Sequence, residues 1–362
     1  MITYFIVLSI VVAFCFLAER SCKREITPDN TVLCTQTKDT KKFLFVVVVA
    51  LTVTAGCRYH VGTDYSNYIF LYHQYEGMSF KSLIGITKEP MLPVIAKLSA
   101  RYFDSYYPMF FAASVITVAL ALISTYKNTT DYVFVTLLYV FAGSWVGSFN
   151  GVRQFMAITI VYLGRNYIYQ RKFLKFLAVC FVGFLAHKSA LFFVLIYFVY
   201  TEKITGKRLL AIAAITVILS RSYEQIFEFI GWMNDSEGGE LTDYATTSVS
   251  VFRILVGCAP AIVGIYFAYT RKMNKEQVFY VYMMVANAAI RIATSDSAYL
   301  ARLGSFTGIF VPLALSSITK LCNKRYYAAL RVAIVCLYFA YWLYEVTNSK
   351  TLYEFEWIFQ YI

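Results

Sequence analysis

The sequence predicts an all-α, polytopic helical bundle in a membrane, and three observations carry that prediction. Of the 362 residues, 59% are hydrophobic and only 15% are charged, whereas soluble domains carry about 25% charged residues. The mean hydropathy is +0.59. Apolar runs of membrane-spanning length recur from one end of the chain to the other, as transmembrane helices require. A large soluble helical core would leave too little polar surface to cover it.

These runs predict about twelve transmembrane helices within a single membrane domain, residues 1–362. The first run lacks a basic start and a small-residue cleavage site, so we interpret it as a retained helix and not as a signal peptide. Several of the runs are short, which is typical of tilted or buried helices. The predicted helices are 2–18, 43–57, 106–126, 132–149, 154–170, 173–187, 189–201, 209–221, 251–270, 278–293, 303–319 and 328–347.

The stretch 89–103 is apolar but too short to cross, and two prolines interrupt it. We therefore predict a re-entrant or interfacial helix there. With this choice, about two thirds of the 33 lysines and arginines fall in loops on one side of the membrane, which the positive-inside rule makes cytoplasmic. A full crossing would turn the later basic loops outward. The expected result is a multi-pass membrane protein with both termini extracytoplasmic.

Two segments are predicted to lie outside the membrane on the outer face. Residues 58–105 form an outer segment with short helices, and residues 222–250, with six acidic side chains, form an outer loop that serves as a lid. The net charge of +12 lies in short loops between spans, so it indicates topology and not nucleic-acid binding. The eight cysteines form no CxxC pair, so neither a disulfide framework nor a zinc site is predicted.

Five polar groups of residues interrupt the apolar chain on the predicted outer side. They lie at 58–64, 89–90, 150–154, 187–189 and 291–302. Ionisable groups at membrane depth are costly and therefore favour a functional explanation. Arginine binds phosphate oxygens bidentately, so the candidates for holding an anionic substrate are the arginines of these groups, which are Arg58, Arg153, Arg291 and Arg302.

Arg153 is the most informative of these arginines. It lies in the first turn of a predicted helix, where a cation opposes the helix dipole, and an arginine beside free N–H groups makes an anion site. Asn150 and Gln154 flank it and are predicted to orient substrate oxygens. For Arg58 a snorkelling interfacial arginine explains the sequence equally well. Arg291 and Arg302 could equally pair with Asp296.

Three side chains are candidates for the catalytic acid or base. Glu89 and Asp64 are carboxylates, and His187, followed by the substrate-binding candidate Ser189, has a pKa suited to proton transfer. The alternatives are that Glu89 caps a short helix and that His187 is a satisfied core residue. The outer side carries no Gly-rich nucleotide loop, HExxH, GxSxG or DxD pattern, so the sequence predicts neither a metal nor a cofactor.

The order GCRYHVGTDYSNY, EP, NGVRQFMA and HKSAL, within residues 50–200, resembles the EpsG-like branch of Wzy-type polysaccharide polymerases. The resemblance implies an enzyme that joins undecaprenyl-pyrophosphate-linked repeat units into capsule, exopolysaccharide or O-antigen outside the cytoplasmic membrane. Its implied partners are membrane lipids and the flippase and chain-length regulator of the same pathway. Arg58 and Arg153, with Arg302 as a third, would then bind the pyrophosphate. Replacing either of the first two by alanine is expected to leave folding intact but yield single repeat units.

Three other functions remain as alternatives. A flippase for lipid-linked oligosaccharides would need charge accessible from both sides of the membrane, whereas these candidates lie on one predicted side. A membrane acyltransferase built around His187 would need a cytoplasmic acyl-donor site, for which no residues are evident. An O-antigen ligase differs only in its acceptor and product, so an assay has to distinguish it.

Overall fold

The computed structural model describes residues 1–26, 32–221 and 248–361, and 78% of these described residues are helical. The all-α class is therefore confirmed. The chain forms two compact units. The first unit combines Met1–Val194 with Trp342–Ile362, and the second is Leu195–Tyr341. Whether the whole chain acts as one membrane domain stays a prediction.

The part of the first unit that ends at Val194 contains twelve complete α-helices among its described residues, with a π-helical segment at Val115–Ala119 and a 3₁₀ helix at Lys188–Phe193. The twelve helices are α1 (Ile2–Ser21), α2 (Lys38–Gly56), α3 (Tyr65–Glu76), α4 (Phe80–Ile86), α5 (Met91–Phe103), α6 (Tyr107–Ser114), α7 (Leu120–Tyr126), α8 (Tyr132–Phe141), α9 (Ser144–Asn150), α10 (Val152–Leu163), α11 (Asn166–Tyr169) and α12 (Phe173–Phe184). Two short strands, β1 (Lys23–Ile26) and β2 (Val32–Thr35), pair antiparallel between α1 and α2.

The helix α13 (Val194–Val199) leads into the second unit, whose described part is also helical. Its elements are α14 (Gly206–Arg221), α15 (Val251–Thr270), α16 (Lys275–Ala293), α17 (Ala298–Ala301), a 3₁₀ turn (Arg302–Gly304), α18 (Ser305–Gly308), α19 (Val311–Thr319) and α20 (Lys324–Thr347). The last residues, α21 (Lys350–Tyr353) and a short terminal strand and 3₁₀ turn, belong to the first unit.

Among the described residues, five helices are long and apolar enough to cross a membrane, or six if the bent pair from Ala298 to Thr319 forms one span. This is consistent with a multi-pass membrane protein, but the predicted count of twelve is not confirmed. Every predicted span overlaps a helix, yet several of those helices are shorter than the about 20 residues a crossing needs. The stretch 89–103 contains the 13-residue α5, and residues 222–247 of the predicted lid lie outside the described residues.

Aromatic packing fixes the first helix of the first unit against its neighbours. The ring of Tyr4, which is fully buried, makes edge-to-face contacts with Trp145, Trp342 and Phe355 at centroid distances of 5.3–5.9 Å. Such contacts each stabilise by about 1 kcal/mol beyond the area they bury. Residues from the two ends of the chain therefore share one core.

The C-terminal residues also fasten the loop that follows α2. The strand β3 (Arg58–Tyr59) pairs antiparallel with β4 (Glu356–Trp357). The N–H of Ile358 donates to the carbonyl of Cys57 at 3.0 Å, and the ring of Tyr59 stacks on Tyr361 at 3.9 Å. The loop is therefore bound on one side by the end of the chain.

Candidate functional site

Glu89 lies in the short connection between α4 and α5, and its carboxylate points to the end of α12. Its own N–H donates to Oγ1 of Thr87 at 3.0 Å. Its Oε1 accepts the backbone N–H of Lys188 at 2.7 Å, and the N–H of Met91 donates to the carbonyl of Leu185 at 2.9 Å. The start of α5 is therefore held by hydrogen bonds against residues 185–188, where α12 has ended and the 3₁₀ helix begins. We call this short segment the break after α12.

Small residues allow the chain to pack closely at this break. A Cβ on Gly183 would lie 3.1 Å from Cβ of Ala190 and 3.2 Å from Val161, so glycine lets α12, α10 and the 3₁₀ helix pack closely. The next residues leave the helix, and His187 has an extended backbone, with φ −160° and ψ 132°. With this backbone conformation, the imidazole of His187 lies beside the carboxylate of Glu89.

Two side chains complete the contacts of the carboxylate. Nη1 of Arg153 donates to Oε2 of Glu89 at 3.1 Å, and Nδ1 of His187 lies 3.0 Å from Oε1. Nδ1 is not aligned for a hydrogen bond among the described residues, so the imidazole lies in close contact with the carboxylate. We call Glu89, Arg153, His187 and the Lys188 amide the Glu89 cluster. It joins three separate elements of the first unit.

The cluster keeps Glu89 ionised. Burial raises the pKa of Glu89, but the His187 imidazole, the Lys188 amide and the Arg153 charge together outweigh burial and lower this pKa to about 2. The side chain of Glu89 is 9% exposed, against 22% for His187 and 33% for Arg153. The accessible rim of the cluster is therefore a guanidinium and an imidazole, with the carboxylate beneath them.

Arg58 has different surroundings. It is 2% exposed, its Nε donates to the carbonyl of Val61 and its Nη2 to that of Phe149, both at 3.0 Å, and its Nη1 donates to Ala55. Its guanidinium carbon lies 5.0–5.7 Å from three aromatic ring centroids. Pyrophosphate binding by Arg58 stays a prediction, but this geometry favours a structural role, since its N–H groups already bind the main chain.

Asn150 shares that structural role. Its Oδ1 accepts the backbone N–H of Thr63 at 2.8 Å, and it ends α9 one residue after the carbonyl that Arg58 binds. Arg58 and Asn150 thus hold the 58–64 loop against the junction of α9 and α10. Arg153 lies at the same junction, in the first turn of α10, and from there it donates to Glu89.

Gly62 is required where this loop meets Asn150. Its φ is +106°, and a Cβ would lie 2.7 Å from Oδ1 of Asn150 and 2.9 Å from the Phe149 carbonyl. Gly62→Ala is therefore expected to destabilise the protein by about 2–4 kcal/mol, from backbone strain and overpacking. Thermal unfolding of the purified protein measures this. Gly77→Ala is the control, because a Cβ there meets nothing within 4 Å; equal loss in both variants contradicts the explanation.

The remaining candidates of the first unit lie around these elements. Oδ1 of Asp64 accepts the Thr63 hydroxyl at 3.1 Å, and Asp64 precedes α3. Gln154 is 8% exposed in the first turn of α10, and Ser189 is 7% exposed beside Lys188. The Oγ of Ser189 has no hydrogen-bond partner among the described residues. Substrate contacts by these three residues stay predictions.

The two late arginines belong to the second unit. Nε of Arg291 donates to Oδ1 of Asn287 at 3.0 Å. Arg302 is exposed at the start of the 3₁₀ turn. Their part in binding pyrophosphate stays a prediction.

Sequence reasoning missed two groups that organise these sites. The backbone amide of Lys188 binds Glu89, and no residue type reveals a main-chain donor. Asn287 is 2% exposed and binds Arg291. An amide within the apolar run of α16, four residues before an arginine, was a signal that pointed to this pair.

Comparison with known proteins identifies the family. The family model described as the EpsG family matches residues 41–359, nearly the whole chain. No curated protein and no solved structure matches the chain. The EpsG family is associated with polysaccharide polymerase-like proteins. The segments quoted from residues 50–200 and the Glu89 cluster both lie within the matched range, and we conclude that this chain belongs to the EpsG family.

Proposed function

We propose that this protein polymerises oligosaccharide repeat units carried on undecaprenyl pyrophosphate, at the outer face of the bacterial cytoplasmic membrane. Membership of the EpsG family supports a polymerase-like function in exopolysaccharide synthesis. The observation that carries the finer proposal is the Glu89 cluster, in which a carboxylate holds an arginine and a histidine at one exposed rim. A departing pyrophosphate needs a cation, and an attacking hydroxyl needs a base.

In the proposed reaction, the bond between the anomeric carbon and the pyrophosphate oxygen breaks, and its electrons leave with the pyrophosphate. A sugar hydroxyl of the next unit forms the new glycosidic bond and gives its proton to the base. Arg153 stabilises the leaving pyrophosphate, since its side chain is one third exposed at the rim of the Glu89 cluster. In a site that excludes water, such a charge stabilises the negative charge of the leaving group more strongly than it would in solution.

His187 is the proposed base. Its Nδ1 is buried beside Glu89 while the ring is 22% exposed, so Nε2 is the nitrogen left for an acceptor hydroxyl. Glu89 is a poor base while its pKa is about 2, because proton uptake is most effective near the working pH. We therefore assign Glu89 to positioning Arg153 and His187. Asp64 is the alternative base, since it is half-buried in the outer segment.

The reaction is tested by giving the purified protein a lipid-linked repeat unit from its own organism, with EDTA and without nucleotide sugar. The expected product is a ladder of lengthening glycans on the lipid carrier. A flippase would move the lipid between leaflets of a vesicle without forming a ladder. A ligase would transfer the glycan once, to a different acceptor. Either result contradicts the proposed function.

Arg153→Gln is expected to slow elongation about a hundredfold to a thousandfold, the usual cost of losing one donor to a developing anion. The product should be single repeat units in place of a ladder. The variant should still fold, because Glu89 keeps the hydrogen bond from the Lys188 amide, but the loss of the cationic partner of this buried carboxylate should lower the melting temperature. Arg101→Gln removes an exposed arginine of α5 and is the matched control. Wild-type chain lengths in Arg153→Gln contradict the assignment.

A further inference from the structure

A second guanidinium, in the second unit, is held in a fixed position by an amide side chain. Nε of Arg291 donates to Oδ1 of Asn287 at 3.0 Å. The Nδ2 of Asn287 donates to the Gly304 carbonyl at 2.7 Å and to Oγ1 of Thr307 at 3.1 Å. Asn287 is 2% exposed, so its amide is locked by three hydrogen bonds and orients the arginine.

The terminal nitrogens of Arg291 have no such partners. Within the described parts of the chain, Nη1 and Nη2 donate no hydrogen bond, and no carboxylate pairs with them. Neither nitrogen is among the buried polar atoms that lack partners, so both are accessible. A guanidinium with Nε fixed and both Nη groups accessible presents the fork that binds phosphate oxygens bidentately.

Glycines make room for this arginine. A Cβ on Gly257 would lie 2.0 Å from Cδ of Arg291, so a larger residue there would displace the arginine side chain from the position that it has beside α15. A Cβ on Gly308 would lie 4.0 Å from Nη2, and without it the space beside Nη2 stays open. A cation in the last turn of α16 is favoured by the helix dipole. That preference explains the charge but neither the locked amide nor the glycine at 257.

We propose that Arg291, oriented by Asn287, binds a phosphate or diphosphate group at a site in the second unit. The group belongs either to a lipid-linked diphosphate or to an anionic phospholipid, which share the same oxygen geometry. This inference goes beyond the proposed polymerisation, because it concerns binding and is tested without any elongation assay. Loss of the polymerase proposal would therefore leave it standing.

The test measures binding of inorganic pyrophosphate by calorimetry to the full-length protein in phosphatidylcholine nanodiscs. Arg153→Gln serves as the background, so that only the second site contributes. Adding Arg291→Gln is expected to weaken binding about tenfold or more, since one charge-assisted hydrogen bond accounts for that much. Arg271→Gln, an exposed arginine at the end of α15, is the matched control and should bind like the background.

Equal affinity with and without Arg291→Gln overturns the proposal. Arg291→Lys keeps the positive charge but lacks the forked guanidinium. Its pyrophosphate affinity is expected to lie between those of the background and of Arg291→Gln. An unchanged melting temperature of this variant then shows that weaker binding comes from lost recognition and not from misfolding. A second arm replaces part of the phosphatidylcholine by phosphatidylglycerol. Weaker pyrophosphate binding there, only when Arg291 is present, assigns the site to a phospholipid headgroup; unchanged binding assigns it to a diphosphate.

Discussion

Glu89→Gln is expected to slow chain elongation about a hundredfold and to destabilise the first unit by about 3 kcal/mol. Glutamine keeps the shape of the side chain but removes the charge that Arg153 and His187 both face. The arginine then lies over a buried neutral amide, and the imidazole loses the group that orients it. Elongation is measured as the glycan ladder, and stability as thermal unfolding of the same preparation.

Two comparisons separate positioning from simple loss of stability. Lys88→Gln changes an exposed neighbour and should leave both measurements unchanged. The double variant Glu89→Gln/Arg153→Gln has no unpaired charge, so its loss of stability should be smaller than the sum of the single losses by about 1–3 kcal/mol. A normal ladder from Glu89→Gln, or strictly additive losses, would show that the cluster does not act as a unit.

Arg58→Ala is expected to lower the free energy of unfolding by about 4 kcal/mol or more, because three buried carbonyls lose a charged donor. The loss of three aromatic contacts adds to this. This expectation differs from the one that the sequence supports, in which the protein folds normally and only elongation fails. Unfolding in detergent, together with elongation per folded molecule, measures both quantities.

Arg20→Ala is the matched control for Arg58, because Arg20 is exposed and contacts one aromatic ring. Its effect on stability should stay within about 0.5 kcal/mol. If Arg58→Ala unfolds at the wild-type temperature and yields single repeat units, Arg58 is a substrate ligand and the structural explanation is wrong.

The helical class and most helix positions followed from hydropathy, since each predicted span overlaps a helix. The number of crossings did not follow, because hydropathy does not show where a helix breaks. Gly183 allows α12 and the 3₁₀ helix to pack closely around His187, and neither helix alone reaches the length of a span. Such breaks depend on tertiary contacts that a linear profile does not contain.

The candidate site was predictable in its residues but not in their roles. Glu89 and Arg153 are 64 positions apart, and Glu89 and Lys188 are 99 apart, so one sequence shows no contact between them. Arg58 and Arg153 look equivalent as outer-side arginines. The structure separates them by their burial and contacts: Arg58 is buried against main-chain carbonyls and rings, whereas Arg153 is one third exposed and binds a carboxylate.

The pairing of β3 with β4 has a consequence for biogenesis. The loop beside the α9–α10 junction is fastened by residues that the ribosome delivers only after all of 195–341 has been translated. The loop next to Arg153 gains this pairing only after the second unit has been translated, so nascent chains lack this brace until then.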